Sequence, residues 1–303
     1  MIDKGVHMTG SPAELDAGRD AAGRCLACVV AFNPDDEFES RLAPIKMQVD
    51  KLIVVNNFKA GSVQVKDVEI IENGNRGGIA GALNAATAYA RQSGFRYIAL
   101  FDHDSAVPLG MISRLIDSLC SRGGSVIGPV YDNSATQKAG RFVLNWRGVP
   151  LSRWISRDEG VKPAYFVITS GTVIDLERVP CECTHDETLG LDMVDIDYCL
   201  SLADSGGLVL LDTSVRMQHG IGNKAAGSRR MDPPNYSLGR HAGIIRNRVR
   251  VWKKWGRRFP LFVLLDLAVT GADFARNVAL LPNRGEYAAA FCRSMMAALR
   301  EAR

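Results

Sequence analysis

Apolar residues along this chain follow two patterns that alternate. Short runs rich in Val and Ile are separated by longer segments in which apolar positions recur every three or four residues. The short runs are typical of buried strands and the longer segments of helices. The pattern predicts strands at 26–32, 52–55, 68–71, 97–101, 125–130 and 164–168. It indicates an α/β fold with a mostly parallel, Rossmann-like central sheet flanked by helices.

Polar residues stand at the carboxyl ends of several predicted strands. Asp102 and Asp104 follow the run 97–101, and Asn33 and Asn56 follow the first two runs. The carboxyl ends of parallel strands meet at one edge of the sheet, where α/β proteins bind ligands. Mg²⁺ is usually held by one or two carboxylates together with substrate phosphates. The two aspartates are therefore candidate metal ligands, and an ordinary acidic surface turn is the alternative.

A glycine-rich loop follows the third predicted strand. Residues 72–78 include Gly74, Gly77 and Gly78, and the apolar residues after them recur at helical spacing. The N-terminus of a helix offers free backbone N–H groups and the positive end of the helix dipole, which favour a phosphate. A tight turn from strand to helix also requires glycine, so the loop alone fits both roles.

The composition is that of an ordinary enzyme in a reducing compartment. Of the 303 residues, 47% are hydrophobic and 23% charged, which is enough to bury a substantial core. The seven cysteines show no paired framework, which favours the cytoplasm over secretion. Residues 1–24 lack the apolar segment of a signal peptide, and we expect a flexible tail there.

The C-terminal part of the chain is basic and amphipathic. Residues 240–258 contain eight Lys or Arg and no Asp or Glu, with Ile245, Val249 and Trp252 among the apolar residues at helical spacing. Such a helix favours contact with a membrane surface. Residues 259–281 are strongly apolar but carry three charges, which favours a helix in the membrane plane or docked on protein over a spanning one. Packing on the rest of the chain, or on a second copy in a homodimer, is the alternative.

Eight segments, in order, resemble those of family 2 glycosyltransferases with the glycosyltransferase-A fold, and within them the bacterial rhamnosyltransferases that use dTDP-rhamnose. The segments are FNP at 32–34, VVNN at 54–57, NRGGIAGALN at 75–84, DHDS at 102–105, TSG at 169–171, DMVDIDYCL at 192–200, HGIGN at 219–223 and RN at 246–247. The resemblance implies a catalytic domain over 25–239 and a basic helical extension over 240–303.

The resemblance also implies a metal site and a catalytic base. Asp104 and Asp102 would hold Mg²⁺ or Mn²⁺ under the diphosphate of the donor, with His219 as a further ligand. Neutral imidazole suits Mn²⁺, although a lone His after a strand is more often structural. Asp195 would take the proton of the attacking acceptor hydroxyl, with Asp192 as the alternative base.

The residues that the resemblance assigns to the nucleotide sugar lie in the matched loops. They are Phe32, Asn33, Asn56, Asn57, Asn75, Gly77, Gly78, Asn84, Asp102, His103, Thr169, Ser170 and Gly171. Three positions depart from the family pattern. Asn56 stands where an Asp usually recognises the base, Val194 stands where many relatives have a Glu before the catalytic Asp, as in the rhamnosyl branch, and Ser201 stands where an Arg is usual. An amide at position 56 retains the capacity to hydrogen-bond a pyrimidine.

The implied function is inverting transfer of L-rhamnose from dTDP-L-rhamnose to a glycan or lipid-linked glycan. It belongs to cell-surface polysaccharide synthesis (O-antigen, capsule or exopolysaccharide) at the inner face of the cell membrane. A UDP-hexose or galactofuranose donor, a nucleotidyltransferase, and a non-catalytic basic membrane-binding module are the alternatives. No nucleic-acid-binding motif is present, and no nucleic-acid partner is expected.

Overall fold

The computed structural model describes residues 23–133, 138–219 and 236–301. Within these ranges the strands are β1 Cys25–Ala31, β2 Lys51–Asn56, β3 Glu69–Glu72, β4 Tyr97–Asp102, β5 Val126–Asn133, β6 Lys138–Ala139, β7 Arg141–Trp146, β8 Val149–Trp154, β9 Val161–Pro163, β10 Thr172–Asp175 and β11 Val209–His219. The helices are α1 Phe38–Lys46, α2 Gly78–Gln92, α3 Met111–Arg122, α4 Val194–Asp204, α5 Leu238–Trp255, α6 Pro260–Leu280 and α7 Arg284–Arg300. Most of the expected tail, and residues 220–223 of the HGIGN segment, lie outside the described residues.

The central sheet confirms the predicted fold class. Its strands are ordered β3-β2-β1-β4-β10-β5-β11-β9, and β6 pairs with β5. The neighbours β3, β2, β1 and β4 are parallel, as are β5 and β11. The short strand β10 runs antiparallel between β4 and β5. The carboxyl ends of the parallel strands therefore meet along one edge.

One predicted strand is wrong. Residues 164–168 form no strand and instead continue as irregular chain after β9, which pairs with β11. Tyr165 and Phe166 are held by ring contacts to Phe262 of α6, so their apolar character reflects packing under a helix. Sequence periodicity cannot separate this case from a strand, because both bury a short apolar run.

Helices cover both faces of the sheet, as the alternation of side chains along β1 requires. Leu26 and Cys28 face the core cluster that contains α2 and α4. Ala27 and Val29 face the second cluster, which contains α1 and α3. The core of the protein is thus two apolar layers separated by the sheet.

The apolar side of α5 is buried in the protein, which corrects the expectation that it faces a membrane. Ile245, Val249 and Trp255 are each less than a tenth exposed. Trp255 Nε1 donates to Asp197 of α4 over 2.7 Å, and Lys254 Nζ pairs with the same carboxylate at 2.8 Å. The packing alternative therefore holds for α5. No helix of the described ranges is both long enough and apolar enough to span a bilayer.

We expect Gly81→Ala to destabilise the fold. A Cβ at this position in α2 would lie 2.0 Å from the backbone oxygen of Arg76, and relieving such an overlap costs about 2 kcal/mol. Gly243→Ala in α5 is the control, because its Cβ would meet no atom within 4 Å and Ala raises helix stability by up to about 1 kcal/mol. Urea unfolding measures both, and equal free energies of unfolding for the two variants would contradict the proposed close approach.

Candidate active site

An open cleft of about 1090 Å³ lies at the carboxyl edge of the sheet. Most of the candidate residues line it, and they come from seven separate segments of the chain. They are Phe32, Asn57, Asn75, Gly78, Asp102, His103, Asp104, Thr169, Ser170, Asp192, Asp195 and His219. The fold therefore gathers into one site residues that are nearly 190 positions apart in the sequence.

Five candidate residues do not line this cleft. Asn56 is fully buried, and its amide donates to Lys59 O and Glu72 Oε2, both at 2.8 Å, which shapes the turn after β2. Asn84 donates to His185 O and Glu187 Oε1, both at 2.9 Å, and so fixes the loop before α4. Both amides hold neighbouring loops in place, and neither lines the cleft. The remaining three are Asn33, Gly77 and Gly171, and each has a positive φ that fits a turn.

Asp102, Asp104 and His219 form a cluster suited to a metal ion. Asp102 ends β4, His219 ends β11, and one ligand atom from each residue lies within 4.8 Å of the others. His219 Nε2 is 3.7 Å from Asp102 Oδ2, and Nδ1 is 3.9 Å from Asp104 Oδ1. These separations are too long for hydrogen bonds. One ligand atom from each of the three residues can instead approach a single divalent cation, because the three atoms lie within 4.8 Å of one another and such a cation sits roughly 2.0–2.6 Å from each ligand.

The electrostatics of this cluster also fit a cation. Nδ1 of His219 is buried and has no hydrogen-bond partner within the described ranges. Burial lowers the pKa of His219, which keeps the ring neutral and free to act as a ligand. Burial, and then the neighbouring Asp104 carboxylate, raise the pKa of Asp102 to about 6. A cation between these groups would relieve that repulsion.

Asp195 lies in the first turn of α4, in the same cleft but outside the cluster. One of its oxygens accepts a hydrogen bond from the N–H of Ile196 at 2.8 Å. Burial raises the pKa of Asp195 to about 6, although hydrogen bonds from the backbone oppose the shift. The carboxylate is therefore ionised at neutral pH and more basic than an ordinary aspartate.

The loop that precedes Asp195 is held from both sides. From α2, the N–H of Ile79 donates to Gly190 O at 2.7 Å. From α5, Asn247 Nδ2 donates to Leu189 O at 2.6 Å and to Asp192 O at 2.9 Å. These bonds impose the left-handed backbone of Met193, φ 73°, a conformation that costs a non-glycine residue about 1 kcal/mol or more.

Two polar residues that line the cleft were missed by sequence reasoning, Tyr236 and Arg240. Arg240 lies in the first turn of α5, 3.3 Å from Asp192 Oδ1, with its guanidinium over the Tyr236 ring at 4.1 Å. The sequence signal was present, because Arg240 opens the basic block. The pattern of that block favours a membrane-facing surface, whereas the structure makes Arg240 a partner of Asp192 in the acidic loop.

Comparison with known proteins gives the family. Residues 28–166 match the model of glycosyl transferase family 2. Residues 28–166 therefore carry a glycosyl transferase family 2 domain, which supports glycosyltransferase activity for the chain. The nucleotidyltransferase and the non-catalytic module are thereby set aside.

Individual relatives agree with this assignment. The glycosyltransferase is 27% identical over 237 residues to the dTDP-rhamnosyl transferase RfbF of Shigella flexneri, covering 75% of this chain and 79% of RfbF. Two solved structures share its fold: GalNAc-T7 with UDP, GalNAc and Mn²⁺ (TM-score 0.55, 11% identity, 80% of this chain) and S. aureus TarS (TM-score 0.54, 10% identity, 92% of this chain). The chain spans about half of each, 49%. Together they confirm the predicted glycosyltransferase-A type of fold.

We expect Asn247→Leu to impair transfer by releasing the loop before Asp195. The variant leaves two backbone oxygens without their donor, which costs about 2–3 kcal/mol, and misplacing a reacting group lowers turnover on the order of tenfold to a hundredfold. Steady-state kinetics below the unfolding temperature measures the effect.

The matched control is Asn277→Leu. Asn277 is also buried, but it donates to Tyr287 Oη at 3.1 Å within the C-terminal helices. This variant should lose stability and keep kcat/KM. Equal losses of kcat/KM in the two variants would show that Asn247 acts through general stability alone.

Proposed function

We propose that this glycosyltransferase moves L-rhamnose from dTDP-L-rhamnose to a hydroxyl group of a glycan or lipid-linked glycan, with inversion, during cell-surface polysaccharide synthesis. The observation that carries the reaction type is that one cleft holds both a cation-type cluster and a separate basic carboxylate. The choice of donor rests on the likeness to RfbF. A UDP-hexose is the second candidate donor.

The metal cluster is the proposed site of the leaving group. Asp102, Asp104 and His219 would hold Mg²⁺ or Mn²⁺, which would neutralise the charge that grows on the departing dTDP. The N-terminus of α2 follows Gly77 and Gly78 and adds a favourable potential for phosphate at the same edge. Phe32 is 47% exposed in the cleft and contacts Phe58 edge-on, which suits it to lie against the nucleobase.

Asp195 is the proposed base. The acceptor hydroxyl attacks the anomeric carbon, its proton passes to an Asp195 carboxylate oxygen, and the bond from the anomeric carbon to the diphosphate breaks. A base works best when its pKa lies close to the working pH, which the burial of Asp195 favours. Asp192 is the weaker candidate, because its carboxylate already pairs with Arg240.

Calorimetry with dTDP-L-rhamnose tests the donor and the metal together. Binding should require Mn²⁺, and Asp104→Ala should weaken it by about tenfold or more, since a ligand of the cation is lost. Asp117→Ala is the control, because Asp117 is an exposed carboxylate on α3 outside the cleft. Tighter binding and faster transfer with UDP-glucose would show that the donor is a UDP-hexose. Equal affinity for dTDP-L-rhamnose with and without Mn²⁺ would show that donor binding does not use a metal.

Asp195→Asn should lower kcat on the order of a hundredfold to ten-thousandfold and leave the affinity for dTDP nearly unchanged. In the native enzyme, kcat/KM should fall tenfold per pH unit below about 6, because protonated Asp195 cannot accept a proton. The matched variant is Asp192→Asn, which should retain most of its turnover. Normal turnover by Asp195→Asn, with loss in Asp192→Asn, would transfer the role of base to Asp192.

A further inference from the structure

Helix α6 presents a continuous apolar stripe to solvent. Leu261, Leu264 and Leu267 are 49%, 60% and 41% exposed, and the same side of the helix continues with the exposed small residues Ala268, Gly271, Ala272, Ala275 and Ala279. Its opposite side, with Phe262 and Val263, is buried against the catalytic core. The exposed leucines are therefore not part of the fold's own packing. Contiguous apolar surface of this kind marks an interaction site.

The charged residues of α6 do not interrupt the stripe. Asp266 accepts hydrogen bonds from Trp252 Nε1 at 2.7 Å and from Arg248, on the side that faces α5. Asp273 pairs with Arg276 at 3.0 Å, within the helix. The three charges that argued against a spanning helix are thus satisfied away from the exposed leucines.

Basic residues flank the stripe at both ends. Arg257 and Arg258 stand just before Leu261, and Arg284 stands just after Leu280; all three are exposed. Residues 238–301 contain twelve Lys or Arg against four Asp or Glu. With 21 residues in α6, the stripe is about 30 Å long. A partner that matches this surface is about as long as the stripe, is apolar where it meets the leucines, and is negatively charged where it meets the flanking basic residues.

The hairpin of β7 and β8 lies next to α6 and adds exposed apolar residues. Strand β8 contacts α6, and Trp146 and Leu151, which share one face of the hairpin, are 60% and 39% exposed. Tryptophan is enriched where a protein meets the boundary between lipid and water.

We propose that the exposed face of α6, together with the β7–β8 hairpin, docks in the plane of a bilayer that contains anionic phospholipid. Leucine side chains enter the acyl boundary and the flanking arginines meet lipid phosphates. A second copy of this chain fits less well, because a symmetric contact along α6 would bring two strongly basic regions together. The proposal goes beyond sugar transfer and does not depend on the identity of the donor.

Co-sedimentation with vesicles tests the surface. The full chain should bind vesicles of phosphatidylethanolamine and phosphatidylglycerol and bind pure phosphatidylcholine vesicles weakly. Leu264→Glu with Leu267→Glu should weaken binding roughly tenfold or more, because the variant loses two leucines that would be buried in the bilayer. Leu109→Glu is the matched control, since Leu109 is 67% exposed in the turn before α3 and should leave vesicle binding unchanged.

Further readouts separate lipid binding from other causes. Arg257→Gln with Arg284→Gln should reduce the preference for anionic vesicles, and circular dichroism should show native helix content in every variant. Transfer to a water-soluble acceptor should persist in the leucine variant, so failure of docking and failure of the proposed activity are distinguishable. Unchanged vesicle binding by the leucine variant, or a native dimer in light scattering that this variant converts to monomer, would overturn the proposal.

Discussion

The close approach of two backbone segments, one at the start of α2 and one at residues 189–193, determines the geometry of the site. A Cβ at Gly78 would lie 2.1 Å from Gly190 O, so only glycine permits the contact. Asn247 of α5 holds the same loop from the other side. Because Asp192 and Asp195 follow directly, the glycine loop before α2 and the Asp195 carboxylate are fixed relative to one another.

Burial assigns different chemistry to carboxylates that share one cleft. Asp102 lies beside Asp104 and a neutral imidazole, so its negative charge is best balanced by a cation. Asp195 has its charge moderated by one backbone N–H and by the dipole of α4. Asp192 is balanced by Arg240. The cleft thus holds a cluster suited to a cation and, apart from it, a buried carboxylate with a raised pKa.

The sequence predicted best where a side chain's role follows from its position on a strand. Asp102 and Asp104 were found because a buried run ends in charge, and the parallel sheet brings such ends together. Asn56 and Asn57 are adjacent and chemically identical, so no pattern could show that only Asn57 reaches the cleft. For 164–168 and α5, the pattern showed that a face is apolar but not what covers it. The covering residues, Asp197 for α5 and Phe262 for residues 165–166, lie 57 to 97 positions away, beyond the range of any local rule.

The bond from Trp255 and Lys254 to Asp197 links the C-terminal helices to the chemistry of transfer. Asp197 lies two residues after Asp195 on α4, and the family 2 match ends at residue 166, before either of them. Part of the cleft, with Asp192, Asp195 and His219, is therefore built by a part of the chain that the family match does not cover. Helix α5 holds the loop and the helix that carry Asp195, so a change in how α5 packs moves this carboxylate relative to the residues that the family match covers.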